Sequence, residues 1–121
     1  MHPLVGTWRL ISMAHIPQTS PAYFPYGERP QGFLIYTDET MLVTLVSEDR
    51  TKSFSYGGRC HVEDARVTHE VAVSTKPDWV GTTQVRDFAL RGDEAIFSTA
   101  TLNPVTGEPE RAELRWRRTE V

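Results

Sequence analysis

The sequence predicts an all-β protein of about eight short antiparallel strands, on three observations. Runs of alternating apolar and polar residues recur along the chain, most clearly in Arg66–Ser74, and this pattern is typical of a strand with one buried face. Turn-forming residues separate these runs at regular intervals. No stretch of about ten residues has the periodicity of a helix. Such a chain forms a sandwich or a barrel, and we expect a closed up-and-down barrel, because closure removes exposed strand edges and leaves room for one small ligand.

The predicted strands follow one another as hairpins. They are Leu4–Met13, Gln31–Thr37, Thr40–Val46, Ser53–Val62, Arg66–Ser74, Gln84–Leu90, Ala95–Leu102 and Glu110–Arg118. Asp38 and Glu39 form the tight link between the second and third strands. The Gly57–Gly58 pair predicts a bulge or a tight bend within the fourth strand. A bulge would reverse the facing of the residues on one side of it, including Tyr56.

The segment Ala14–Pro30 is predicted to be a long loop after the first strand. It is rich in proline, which lacks a backbone donor and interrupts regular pairing. Loops of this length in compact proteins often act as lids or binding loops. Its aromatic residues predict that it folds over an apolar surface and contacts ligand; they are Tyr23, Phe24 and Tyr26.

Length and charge limit the classes of protein. A chain of 121 residues fits one domain, residues 1–121, with a core of its own. The formal net charge of −3 argues against a nucleic-acid partner. Cys60 is the only cysteine, so no internal disulfide forms and a reducing compartment is suitable. With no leader and no apolar window of about 20 residues, we expect a cytoplasmic protein that does not enter the membrane.

Three polar residues are predicted to share one apolar interior. His69 alternates with Val67 and Val71 on the buried side of its strand, together with Val73. On the next strand Gln84 and Arg86 share a face with the apolar Phe88. Unpaired buried charge costs several kcal/mol, so these residues indicate a pocket with a polar floor rather than a purely structural core.

Each residue of this floor has two interpretations. His69 is either a proton shuttle, tuned by burial and by nearby Arg86, or a core histidine that bonds a backbone carbonyl or a hydroxyl. Arg86 either holds a carboxylate, enolate or phenolate of a ligand or forms a buried ion pair. Ligation of haem iron by His69 stays open as well. The histidines lack metal-site spacing, so neither a metal nor a cofactor is predicted.

Further ligand-binding candidates are aromatic. Tyr36 offers a hydroxyl to the pocket if it faces inward, although Phe33 and Ile35 are the alternative inward set of the same strand. Tyr56 joins the pocket if the glycine bulge leaves its facing unchanged. Trp79 lies in the turn before Gln84, where it either stacks on ligand at the barrel mouth or covers the rim. Tyr26 of the loop, Gln84 and Phe88 complete the candidates.

The chain resembles a known family in several motifs. Gly6-Thr7-Trp8 is similar to the Gly-x-Trp signature of lipocalins, members of the calycin group of β-barrels. Further segments resemble the small bacterial and fungal lipocalin-like domain family: Tyr26-Gly27, Gly32–Thr37, Thr68–Val71, Trp79–Arg86 and Leu114-x-Trp116-x-Arg118. The resemblance implies an eight-stranded up-and-down barrel in which Trp8 plugs one end and Arg118 packs across it.

Two functions follow as expectations. The first is an intracellular barrel, monomeric or homodimeric, that encloses a small, largely apolar organic molecule, either a metabolite or a natural-product intermediate. The second is a cofactor-independent acid–base isomerase or cyclase that uses His69 and Arg86 in the same pocket. The resemblance permits both, because members of the family occur beside natural-product pathways and related barrels include isomerases and cyclases.

Overall fold

Eight antiparallel strands pair in chain order and close on themselves in a computed structural model that describes residues 1–119. The strands are β1 (Gly6–Pro17), β2 (Gln31–Tyr36), β3 (Thr40–Val46), β4 (Ser53–Glu63), β5 (Arg66–Ser74), β6 (Thr83–Arg91), β7 (Glu94–Leu102) and β8 (Pro109–Arg118). Pairing of β1 with β8 completes the barrel. A 3₁₀ turn, Pro77–Trp79, lies between β5 and β6. The predicted all-β barrel is confirmed.

Within the described residues, no helix has the length and the apolar composition needed to span a membrane.

The end of β1 differs from the prediction, which started the loop at Ala14. The strand continues to Pro17, because Ala14 pairs with Glu113 and Pro17 with Glu110 on β8. Proline is tolerated there because the strand ends at that residue. The connection before β2 is therefore residues 18–30, and it is shorter than predicted.

The glycine pair does accompany an irregularity, but the extra residue lies on the neighbouring strand. Gly57 pairs with Val73 and Gly58 with Val71, so Ala72 on β5 is the bulged residue. Gly58 permits this close approach, since a Cβ atom at that position would clash with the Glu70 carbonyl oxygen. The facing of Tyr56 is unchanged.

Val73 therefore does not share the buried face of His69, contrary to the prediction. It lies beyond the bulge and is 61% exposed, whereas Val71 before the bulge is 4% exposed. One inserted residue reverses the facing of a strand, because successive side chains point to opposite sides.

One end of the barrel is closed around Trp8. Its side chain is fully buried, and its indole N–H donates to the carbonyl oxygen of Leu4 at 2.9 Å. The Arg118 guanidinium carbon lies 4.2 Å from the centroid of the Trp8 ring, and its Nη1 donates to the Val5 carbonyl oxygen at 2.9 Å. A Cβ atom on Gly6 would lie 2.8 Å from that Nη1. Glycine therefore leaves the space that the arginine occupies.

Candidate functional site

A cavity of about 330 Å³ lies inside the barrel and opens away from Trp8. Its mouth is formed by the C-terminal part of β1, the 18–30 connection and the β5–β6 connection. Small-molecule sites typically measure about 300–1,000 Å³, so this cavity suits one small molecule. Most of its wall is apolar, with Leu34, Val43, Leu45, Phe97, Ala112 and Leu114 among the lining residues.

Three buried polar residues form a hydrogen-bonded chain at the cavity wall. The Tyr36 hydroxyl lies 2.6 Å from Nε2 of His69, and the Tyr56 hydroxyl lies 2.7 Å from its Nδ1. The three side chains come from β2, β5 and β4 and are 2%, 3% and 7% exposed, in the order Tyr36, His69, Tyr56. We call them the Tyr–His–Tyr chain.

The Tyr–His–Tyr chain settles two points that the sequence left open: which residues of β2 face inward, and what His69 bonds. Tyr36 belongs to the inward set of β2, since Phe33 and Ile35 are 43% and 42% exposed. His69 bonds two tyrosine hydroxyls, so an axial bond to haem iron would have to displace one of these hydrogen bonds.

All three groups of the chain are neutral near pH 7. Burial lowers the pKa of His69 from 6.5 to about 3, and the nearby charge of Arg86 lowers it further. Burial raises the pKa of Tyr56 to about 12. Burial also holds the pKa of Tyr36 well above its usual value, and the neighbouring Tyr56 and Cys60 contribute to that shift.

Two cationic side chains also line the cavity. Arg86 on β6 is half-buried, and its Nη1 donates to the Val85 carbonyl oxygen at 2.9 Å. Lys76 lies at the mouth with its Nζ 4.8 Å from the Phe54 ring centroid. No ion pair joins either cation to an acidic side chain within residues 1–119. The site therefore has positive character, which favours electron-rich ligand atoms.

Trp79 and Tyr26 line the mouth. Trp79 is half-buried, and the centroid of its ring lies 4.9 Å from the centroid of the Phe54 ring and 5.4 Å from that of the Tyr56 ring. Tyr26 contributes from the 18–30 connection. These aromatic rings present flat apolar surfaces next to the Tyr–His–Tyr chain.

Two candidates are absent from the cavity lining. Gln84 pairs with His69 in the strand register, but its amide nitrogen donates to Thr82 Oγ1 at 2.9 Å. Phe88 is buried and packs on Phe97, with the ring centroids 5.9 Å apart. A shared strand face thus did not place these two side chains with Arg86 in the cavity lining.

Sequence reasoning missed several residues that line the cavity. His15 and Met13 lie inside because the register of β1 shifts between Leu10 and Ser12, which changes the alternation. Lys76, in the β5–β6 connection, and Thr101, near the end of β7, also line it. The alternation of β1 beyond Leu10 was the one available signal, and the predicted loop start at Ala14 obscured it.

A second polar cluster fixes the 18–30 connection to the barrel. Glu110 on β8 is 6% exposed and accepts hydrogen bonds from the Tyr23 hydroxyl at 2.8 Å and from Nδ1 of His15 at 3.0 Å. Burial opposes ionisation of Glu110, but the hydrogen bonds from Tyr23, Asn103 and His15 outweigh it, so its pKa is lowered. Tyr23 therefore anchors the 18–30 connection to β8 of the barrel.

Of the loop aromatics, only Tyr26 lies at the cavity. Phe24 is 41% exposed, and Tyr23 is bonded to Glu110. We therefore expect a ligand to slow amide hydrogen exchange around Tyr26 more than around Tyr23, whose neighbourhood is already held. Exchange measured with and without a small aromatic ligand whose binding is verified by calorimetry checks this, with the 103–108 turn as the control segment. Equal protection at Tyr26 in both samples would contradict a lid role.

The lipocalin-like domain family matches this chain over residues 5–56 and 51–119. Among curated proteins, the chain is similar to the 4'-hydroxy-3'-methoxypropiophenone carrier protein of Aspergillus oryzae (strain ATCC 42149 / RIB 40). The two are 36% identical over 98 residues, which covers 73% of this chain and 82% of the relative.

Proposed function

This chain belongs to the lipocalin-like domain family, and on that premise we propose that it binds and carries a small, largely apolar organic molecule in its barrel cavity. The observation that carries the proposal is the cavity of about 330 Å³, with apolar walls and the buried Tyr–His–Tyr chain at its side. Apolar walls supply affinity, and a few fixed polar groups orient the ligand. Small-molecule binding also agrees with the relative named as a carrier.

The relative's name and the size of the cavity support a narrower proposal for the ligand class. That name describes an aryl ketone with a hydroxyl and a methoxy group on its ring. A single substituted ring is compatible with the small cavity of this chain and with the rings of Trp79 and Tyr26 at its mouth. The proposed ligand is therefore a one-ring aromatic metabolite or natural-product intermediate, carried inside the cell.

Carriage is favoured over acid–base catalysis. A general base works best with a pKa near the working pH, whereas burial lowers the pKa of His69 to about 3. Both of its ring nitrogens already bond tyrosine hydroxyls, so they are not free to take a proton from a ligand. The isomerase or cyclase alternative has no observation in its favour.

Filling the cavity should weaken ligand binding without affecting the outer surface. Ala112 is buried and lines the cavity, whereas Ala100 on the adjacent strand β7 is exposed. We expect Ala112→Phe to weaken binding of 4'-hydroxypropiophenone by about tenfold or more, because the added ring occupies ligand space. Isothermal titration calorimetry measures the Kd, and a thermal melt checks the fold.

Ala100→Phe is the matched control, since it adds the same ring outside the barrel. It should leave the Kd unchanged. Equal affinity of both variants and the unmodified protein would place the ligand elsewhere and refute the proposal.

A further inference from the structure

The Tyr–His–Tyr chain contains one more proton than its own hydrogen bonds use. Each tyrosine hydroxyl carries one proton, and a neutral imidazole carries one on either Nδ1 or Nε2. The chain thus has three donor protons but only two hydrogen bonds, Tyr36 to Nε2 and Tyr56 to Nδ1. Burial keeps all three groups neutral near pH 7, so the surplus of one proton persists.

The tautomer of His69 decides which tyrosine holds the surplus proton. If Nε2 carries the hydrogen, it donates to Tyr36, and the hydroxyl hydrogen of Tyr36 is left over. If Nδ1 carries the hydrogen, the left-over hydrogen belongs to Tyr56. Neither hydroxyl has a second protein partner within residues 1–119, and both residues line the cavity.

The surplus donor is deep in an apolar site. Tyr36 and Tyr56 are 2% and 7% exposed. A buried donor with no acceptor is costly. Water can accept the proton while the cavity is empty, but a ligand that displaces this water must supply an acceptor in its place.

We infer that the cavity selects ligands with a carbonyl oxygen, which accepts the surplus proton without bringing a proton of its own. This rests on the proposed function, and it names the feature that the ligand must carry. A neutral phenol oxygen also accepts, but it adds another donor that then needs a partner. Arg86, whose charge acts on all three groups of the chain, reinforces the preference for an electron-rich oxygen. In a bound aryl ketone, the carbonyl oxygen faces the Tyr–His–Tyr chain and the aromatic ring of the ligand faces Trp79.

Three probes of similar size test the inference at about pH 7: propiophenone, 4-propylphenol and propylbenzene. We expect propiophenone to bind about tenfold more tightly than propylbenzene, with 4-propylphenol in between, from the cost of one unmet buried donor. Equal Kd values for propiophenone and propylbenzene would overturn the inference while leaving the proposed function intact. Binding of none of the three would instead count against the proposed function.

Variants test whether the preference for a carbonyl oxygen belongs to the Tyr–His–Tyr chain as a whole or to one of its hydroxyls. Removing one hydroxyl removes one proton and one hydrogen bond, so the surplus remains in Tyr36→Phe and in Tyr56→Phe. Each single variant should therefore still prefer the ketone. The triple variant Tyr36→Phe/Tyr56→Phe/His69→Leu removes every donor of the Tyr–His–Tyr chain while Arg86 and Lys76 still line the cavity. Its preference for propiophenone over propylbenzene should therefore be clearly smaller than that of the unmodified protein. Loss of the preference in a single variant, or a preference in the triple variant as strong as in the unmodified protein, would contradict the proton count.

A measurement on the unmodified protein covers the case in which the triple variant fails to fold. The carbonyl carbon of ¹³C-labelled propiophenone moves downfield when its oxygen accepts a hydrogen bond. We expect the bound signal to lie downfield of the signal in a hydrocarbon solvent. A bound signal at the hydrocarbon position would show that the oxygen has no donor and would overturn the inference.

Discussion

The free energy of unfolding is expected to fall by about 3 kcal/mol between about pH 6.5 and about pH 4, because His69 is buried in its neutral form. The pKa of His69 is about 3 in the folded protein against 6.5 for an exposed histidine. In that pH range His69 takes up a proton in the unfolded protein but stays neutral in the folded barrel. The contribution of neutral His69 to the free energy of unfolding is therefore complete above about pH 6.5, and it is lost progressively as the pH falls toward about 3.

Urea unfolding at a series of pH values measures this effect, and His69→Gln isolates it. Glutamine is neutral at every pH and keeps an amide that can bond the two tyrosine hydroxyls. The carboxylates and the other histidines, among them His15, are unchanged in the variant. Their contributions therefore cancel when the two pH profiles are subtracted. If His69→Gln lost as much stability over this range as the unmodified protein, the site would not hold a neutral buried imidazole.

Trp8→Ala is expected to destabilise the barrel by about 3–5 kcal/mol, the usual range for removing a large buried aromatic side chain. Trp8 is fully buried, its indole bonds Leu4, and it carries the guanidinium of Arg118 on its ring. The substitution opens the closed end of the barrel and leaves the Leu4 carbonyl oxygen without its partner. Chemical unfolding gives the free energy, with the midpoint and slope fitted separately.

Trp79→Ala is the matched control for this prediction. Trp79 is half-buried at the mouth, against Phe54 and Tyr56. Its removal should cost clearly less stability than the removal of Trp8, and it should weaken ligand binding. Similar losses of stability for the two substitutions would mean that the Trp8 end is no more tightly packed than the open end.

The strand pattern was predictable because alternation is a local property of the sequence. β3 and β5 have the predicted bounds, and the antiparallel closed order follows from hairpin-like spacing. The errors arose where pairing between distant segments overrides local signals. Pro17 signals a loop, yet pairing with β8 keeps it in β1. Val73 alternates with Val71, yet a bulge opposite Gly58 turns it to solvent.

The sequence by itself determined which side chains share a face of each regular strand, because a period of two assigns every side chain to one side or the other. It therefore brought Tyr36, His69 and Tyr56 forward as separate candidates. Only the tertiary structure decided that they form one hydrogen-bonded chain. These residues come from three different strands, so their distances depend on strand register, barrel curvature and the bulge at Ala72. The surplus proton of that chain exists only through these contacts, since it follows from which groups bond each other.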